Sequence, residues 1–319
     1  MAMILKEEFY YKSQDGKTKI HGVRWIPEDH IKGILQISHG MVEYIQRYEG
    51  FAIFLAQQGI LVTGNDHLGH GYSVTTKEDF GYFHEFEGNR ILIRDIHQLR
   101  KITQDKYPNV PYFMLGHSMG SFLLRQYLCM YGKGLSGAMI MGTGQQPKIA
   151  VQCGIFLSII LSKIKGERYR SKFLRAITFD VFNKSVKGNR TSCDWISTDE
   201  AVVDAYLADE MCQFTFTLNA YYHMFTGMLY LYDKKHLEKM PKDLPIFFLS
   251  GSEDPVGGFQ KGVLKAISSF VSVGMEQVQY NFYKGDRHEI LNEKDRDTVY
   301  QDIYQWLSRE IDKHHKAKI

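Results

Sequence analysis

A chain of 319 residues with 44% hydrophobic and 24% charged residues has the balance of a folded globular protein, which excludes a disordered or fibrous one. Its formal net charge of +3 is too small for an electrostatic footprint on nucleic acid, and no nucleic-acid partner is expected. The longest apolar run, 154–161, falls far short of the roughly 20 residues of a spanning helix.

Residues 1–11 hold two glutamates where a secretion signal would carry a cationic start and an apolar run, so a cytoplasmic protein is expected. Cys129, Cys153, Cys193 and Cys212 lack the paired spacing of a zinc site or a disulfide framework. Neither a metal nor a cofactor is expected.

Runs rich in β-formers alternate with amphipathic stretches along the chain. Two strands are predicted first, at 7–11 and 20–26. Strand 33–38, helix 51–58, strand 60–64, helix 91–107, strand 112–115, helix 121–131 and strand 136–141 follow. After a long interruption come strand 245–250, helix 259–270, strand 276–283 and helix 295–313. This alternation predicts an α/β fold: a mostly parallel eight-stranded sheet flanked by helices. The interruption, 145–242, reads as helical throughout and carries aromatic clusters. Open α/β sheets bind ligands beyond the carboxyl ends of their strands, and an insertion there would roof the site as a cap. The expected organisation is a core of 1–144 and 243–319 with a cap of 145–242.

Gly116-His117-Ser118-Met119-Gly120 follows a predicted strand and opens a predicted helix. In that context it reads as a nucleophile elbow, whose small residues permit a tight turn that thrusts the serine into the open. A serine needs a base to take its proton and an acid to orient the base, in the chain order Ser, Asp, His. Strand 245–250 runs into Gly251-Ser252-Glu253-Asp254, and strand 276–283 into Gly285-Asp286-Arg287-His288. Ser118, Asp254 and His288 are therefore the expected catalytic residues, with Glu253 as the alternative acid. His314 and His315 lie in a charged tail, not beyond a strand. The oxyanion formed on an attacked carbonyl needs two preset N–H donors, expected from Met119 and from Met41 in the loop Ser38-His39-Gly40-Met41-Val42-Glu43. His39 lies upstream on another strand and reads as a brace for that loop.

With these motifs in hand, the chain resembles the monoacylglycerol lipase and lysophospholipase branch of the α/β-hydrolases, a group similar to serine aminopeptidases of the proline-iminopeptidase kind. The resemblance rests on His39-Gly40-Met41-Val42-Glu43, Asp66-His67-Leu68-Gly69-His70-Gly71-Tyr72-Ser73, the elbow, Gly251-Ser252-Glu253-Asp254 and His288-Glu289. It implies the same three residues, Ser118, Asp254 and His288, as catalytic. It further implies a structural rather than a metal-binding role for the segment from Asp66 to Ser73. Tyr44 stands where such proteins usually carry histidine.

Within the insertion, Phe214, Leu218, Tyr221, Tyr222, Phe225, Leu229 and Tyr232 recur at helical spacing, as a docking stripe or as a roof over the pocket. Residues 151–161 are apolar on nearly all sides and lead into Lys163, Lys165, Arg168, Arg170, Lys172 and Arg175. An apolar helix beside a basic cluster is also the pattern of peripheral contact with an anionic membrane. The expected activity is hydrolysis of a carboxylic ester, of monoacylglycerol or lysophospholipid type, through an acyl-enzyme on Ser118. An aminopeptidase would instead need an acidic group for the substrate amine, for which Glu200, Asp204, Asp209 and Glu210 are the candidates. A noncatalytic binding protein on the same fold would have no need of all three catalytic residues.

Overall fold

The computed structural model describes residues 4–316. Its strands are β1 (Ile4–Lys12), β2 (Lys19–Pro27), β3 (Gly33–Ser38), β4 (Ile60–Asn65), β5 (Tyr112–His117), β6 (Gly137–Met141), β7 (Ile246–Gly251) and β8 (Val278–Tyr283). They form one eight-stranded sheet in the order β1-β2-β4-β3-β5-β6-β7-β8. The β1–β2 and β2–β4 pairings are antiparallel and all the others parallel. Alternation along the central strands decides which helices cover which face. Tyr112, Met114, Ala138 and Ile140 pack with α2 (Gly88–Lys106), α3 (Met119–Tyr131) and α10 (Lys261–Val271). Phe113, Leu115, Met139 and Met141 pack with α1 (Glu49–Gln57) and α11 (Arg296–Lys316).

Every strand and helix expected of the core is present, with ends within three residues of the predicted ones. β3 connects to β4 on one side and β5 lies on its other side, so the connection reverses between β3 and β5. Such a switch point opens a crevice at the carboxyl ends of the strands. Ser38, at the end of β3, pairs with Gly116 near the end of β5, and β7 and β8 end together at Gly251 and Tyr283.

Between β6 and β7 lie α4 (Lys148–Lys165), α5 (Lys172–Arg175), α6 (Val181–Asn183), α7 (Glu200–Ala208), α8 (Leu218–Tyr230) and α9 (Lys234–Leu237). The expectation of a helical stretch throughout fails at 184–199 and 213–217, which are largely irregular. In the first of these the cause is competition for the backbone by short polar side chains. Asn183 accepts from the Trp195 N–H and donates to the Thr191 carbonyl, while the Asp194 carboxylate takes the Arg190 and Thr191 N–H groups. Of the predicted aromatic stripe, Leu218, Tyr221 and Phe225 are buried in α8, whereas Phe214 and Tyr232 lie outside that helix.

Behind the loop that follows β3 lies a buried histidine cluster. Asp66 accepts from the Ile45 and Tyr72 N–H groups at 2.8 Å each and from His21 Nδ1 at 2.9 Å, so its oxygens serve the turn. His39 accepts from the His67 N–H through Nε2 at 2.9 Å and donates from Nδ1 to the Gly40 carbonyl at 2.8 Å, which fixes a neutral tautomer. The His70 ring sits among Phe83, Phe214 and Phe216. Burial lowers the pKa of His39, takes His67 well below the usual histidine value, and lowers His70 to about 3.

Because an unfolded histidine titrates near pH ~6.5, the folded chain binds fewer protons than the unfolded chain below that pH. The stability carried by these neutral imidazoles is complete above about 6.5 and is lost as pH falls, by up to about 1.4 kcal/mol per pH unit for each ring. His117, whose pKa is raised, acts with the opposite sign as pH rises above that value. His70→Phe is therefore expected to flatten the decline in urea-derived stability between about pH 6.5 and 5 by roughly one proton's slope. An unchanged slope would show that the ring is not held neutral.

Candidate functional site

The turn from β5 into α3 places Ser118 at φ 52° and ψ −120°, a conformation that non-glycine residues rarely adopt. Its flanking glycines are sterically required. A Cβ on Gly116 would collide with the Gly120 carbonyl, and one on Gly120 with the Ser38 carbonyl of the neighbouring strand end. The turn is tied down by the Ser118 N–H, which donates to the Met141 carbonyl at 3.0 Å, and by Ser121, which donates to the Ser118 carbonyl.

Asp254 and His288 leave the ends of β7 and β8 as the predicted turns require. His288 Nδ1 lies 3.1 Å from both Asp254 oxygens, and both residues are buried. The Val256 N–H donates to Asp254 Oδ1 at 2.9 Å, aiming the carboxylate at the ring. Glu253, the other acid of the turn, is exposed. His288 Nε2 makes no hydrogen bond to another protein group, so the bond to Ser118 is open here, as is common before substrate binds. Met41, Ser118, Met119 and His288 line one cavity. The Met119 N–H belongs to the first turn of α3, where amides lack an intrahelical acceptor. The Gly40 N–H, by contrast, is committed to the Glu43 side chain.

Glu43 is the centre of a network to which the motifs alone assigned no role. Its buried carboxylate accepts from the Gly40 N–H, from the Tyr48 hydroxyl at 2.8 Å, from His117 Nδ1 at 3.1 Å and from Arg47 at 3.1 Å. Arg47 in turn holds Glu289, next to His288, through two bonds of 2.7 and 2.8 Å. His117 Nε2 lies 3.3 Å from the His288 carbonyl, closing the circuit. Burial alone would raise the pKa of Glu43, but His117 and Arg47 outweigh it and hold the carboxyl far below its ordinary value. Burial likewise opposes charge on His117, and the bond to Glu43 overcomes that, raising its pKa. The sequence offered one partial signal, the spacing of Glu43 and Arg47 four residues apart, which points to that pair and to none of the distant partners.

The cavity measures about 440 Å³. Its apolar wall comes largely from Val151, Gly154 and Leu157 of α4, Met224, Phe225 and Met228 of α8, and Phe122 of α3. From the predicted stripe only Phe225 reaches it; Met224 and Met228 escaped the pattern because they lie between its members. Of the acidic candidates for an amine site, Glu200 and Glu210 are exposed, Asp204 pairs with Arg190 at 2.6 Å, and Asp209 accepts from the Tyr44 hydroxyl at 2.8 Å. None of the four lines the cavity.

A mostly parallel sheet that presents a strained serine between strand and helix, with a histidine and an aspartate on later strand ends, defines an α/β-hydrolase. The sequence model of the family described as serine aminopeptidase, S33, matches residues 29–295, and the chain belongs to that family. It is 24% identical to a monoacylglycerol lipase of Mycolicibacterium smegmatis over 93% of this chain and 97% of the relative. Identity to a monoglyceride lipase of Rattus norvegicus is 26%, over 90% of this chain and 86% of the relative. Among solved structures, a thermostable carboxyl esterase from Bacillus coagulans superposes with a TM-score of 0.89 at 29% identity, covering 97% of this chain and 100% of the esterase. The chain thus sits in the monoacylglycerol lipase branch of the ester-hydrolysing α/β-hydrolases.

Removing one partner from a buried charged pair strands the other, so Glu43→Gln is expected to cost about 3 kcal/mol of unfolding free energy. Arg168→Gln, which breaks the half-exposed pair with Asp79, is expected to cost no more than about 1 kcal/mol. Urea unfolding of the two variants distinguishes a hub from an ordinary ion pair; equal losses would remove Glu43 from its central place.

Proposed function

We propose that the protein hydrolyses monoacylglycerols or lysophospholipid-like esters of medium or long acyl chain through an acyl-enzyme on Ser118. The observation that carries this reading is the cavity, in which the candidate nucleophile and base share a space walled by apolar side chains from α4 and α8. Each methylene buried against such a wall contributes roughly 0.8 kcal/mol, so an acyl chain is the part of a substrate it favours. The insertion, 145–242, serves as the cap that shapes this space.

In the mechanism, Ser118 Oγ attacks the ester carbonyl while His288 Nε2 takes its proton. Asp254, on Nδ1, holds the ring and stabilises the imidazolium. The Met41 and Met119 N–H groups receive the oxyanion. On collapse, the C–O bond to the alcohol breaks and His288 returns the proton to that oxygen. Water then repeats the sequence on the acyl-serine and releases the fatty acid. An aminopeptidase reading lacks a free anchor, because the carboxylates that do line the cavity, Glu43 and Glu289, are both engaged by Arg47.

A fluorophosphonate probe is expected to label wild type at Ser118, and Ser118→Ala to lose ester turnover by several orders of magnitude with its fold intact. On chromogenic esters of increasing acyl length beside an aminoacyl amide, the longer esters are expected to be preferred and the amide spared. Activity retained in the alanine variant, or preference for the amide, would overturn the reading.

The exposed side of α4 and α5 supports a peripheral membrane role for the cap. Ile149, Phe156, Ile164 and Phe173 stand exposed there beside exposed Lys163, Lys165 and Lys172. The basic cluster is smaller than the sequence suggests: Arg168 pairs with Asp79, Arg170 donates to the Glu78 and Phe80 carbonyls, and Arg175 pairs with Asp180. Three lysines near anionic headgroups contribute about 1 kcal/mol each, so changing Lys163, Lys165 and Lys172 to glutamine is expected to cut co-sedimentation with anionic vesicles about 10²-fold at low salt. Turnover of a short soluble ester should not change. Equal sedimentation of the variant, or no sedimentation of wild type, would reduce the surface to a solvated flank.

A further inference from the structure

The insertion grips the loop that carries His288 through one short irregular segment, 194–198. The Glu289 N–H donates to the Ile196 carbonyl at 2.7 Å. The Arg287 guanidinium donates to the carbonyls of Asp194 and Ser197 at 2.5 and 3.0 Å. The Thr198 N–H donates to the buried Glu293 carboxylate at 2.9 Å, and Ser197 Oγ to the Asn292 carbonyl at 3.2 Å. These bonds span roughly ninety residues of sequence and fix one side chain in particular. The Trp195 indole, 4% exposed, lies with its centroid 5.0 Å from that of the His288 imidazole, at 42° between planes. Phe179 and Phe182 back the indole at 5.0 and 5.2 Å. The His117 ring, itself held by Glu43, packs on the same imidazole at 4.7 Å.

Asp254 anchors only Nδ1, and contacts at one ring atom leave the ring free to tilt. We infer that Trp195 is a positioning residue for His288: its indole, with the His117 ring, confines the imidazole so that Nε2 meets Ser118 only while segment 194–198 is docked. This rests on the reading of His288 as the base. Trp195 also lines the cavity, so the distinction is drawn on a short ester that leaves the apolar wall largely unused, where its loss is expected to act on turnover through His288 rather than on affinity. A misplacement of about 1 Å in a catalytic group can cost about 10²-fold in rate.

The test compares Trp195→Ala, Trp195→Leu and Trp195→Phe on a short chromogenic ester, with folding checked by circular dichroism. The alanine and leucine variants are expected to lose about 10²-fold in kcat with KM little changed, and phenylalanine to recover most of the loss by restoring a flat ring. Fluorophosphonate labelling of Ser118 should slow in parallel with kcat. The downfield resonance of the His288 Nδ1 proton should stay sharp in the phenylalanine variant and broaden in the other two. Leucine keeps apolar bulk, so it carries the test if alanine does not fold. A folded alanine or leucine variant with wild-type kcat, a loss confined to KM, or a phenylalanine variant no better than leucine overturns the inference. Wild type that labels at Ser118 in those cases leaves the hydrolase reading standing, whereas wild type that neither labels nor turns over removes the reading itself.

Discussion

The site depends on keeping one carboxylate, that of Glu43, charged and away from water. Burying an unpaired carboxylate costs several kcal/mol, and here four donors offset it: a backbone amide, a tyrosine, a histidine and an arginine. Each donor belongs to a part that the chemistry must hold still. Gly40 sets the loop after β3, His117 precedes Ser118, and Arg47 carries the connection on to Glu289 beside His288. One buried charge therefore gathers three strand ends into a common frame. Without it the loop after β3 and the elbow would share only the hydrogen bond of Tyr48 with His117, and the elbow and the His288 loop only that of His117 with the His288 carbonyl.

That frame holds strained backbone. Ser118 is at φ 52° and Val42, a β-branched residue, at φ 58°, conformations that persist only where the surroundings over-determine them. For Ser118 the over-determination comes from glycines that allow the close approach of Gly120 to Ser38. For Val42 it comes from the insertion, since the Tyr206 hydroxyl donates to its carbonyl at 3.1 Å and the Arg47 guanidinium lies 4.9 Å above the Tyr206 ring. Tyr44 adds a bond to Asp209 from the same loop. The insertion is consequently tied to both loops. It contacts the loop after β3 through Tyr206 and Asp209, and the loop carrying His288 through 194–198.

How much of this was legible in the chain follows from the range of each interaction. Strands such as 112–115 declare themselves because alternate residues face two different helical layers, and Gly116 and Gly120 betray the elbow because backbone contacts exclude any side chain. Asp254 and His288 could be read because both follow strand ends locally. Beyond its local partners the Glu43 hub could not, since His117 lies 74 residues from Glu43 and Glu289 lies 242 residues from Arg47. Trp195 was hidden for the same reason, inside a segment whose irregular path is set by Asn183 and Asp194 rather than by any period. The basic cluster was overread because sequence shows charge but not the acidic and carbonyl partners that occupy three of its arginines.

On the proposed reading, an apolar cavity, a serine held in strain and carboxylates engaged by Arg47 make a site that takes an acyl group from an alcohol and holds it covalently. The most direct test is to quench wild type during turnover of a long-chain monoacylglycerol and determine its intact and peptide masses. The account predicts that the chain gains the mass of the acyl group and that the addition maps to the peptide containing Ser118. Rapid turnover with no acylated protein at any quench time, or an adduct on another residue, would contradict it.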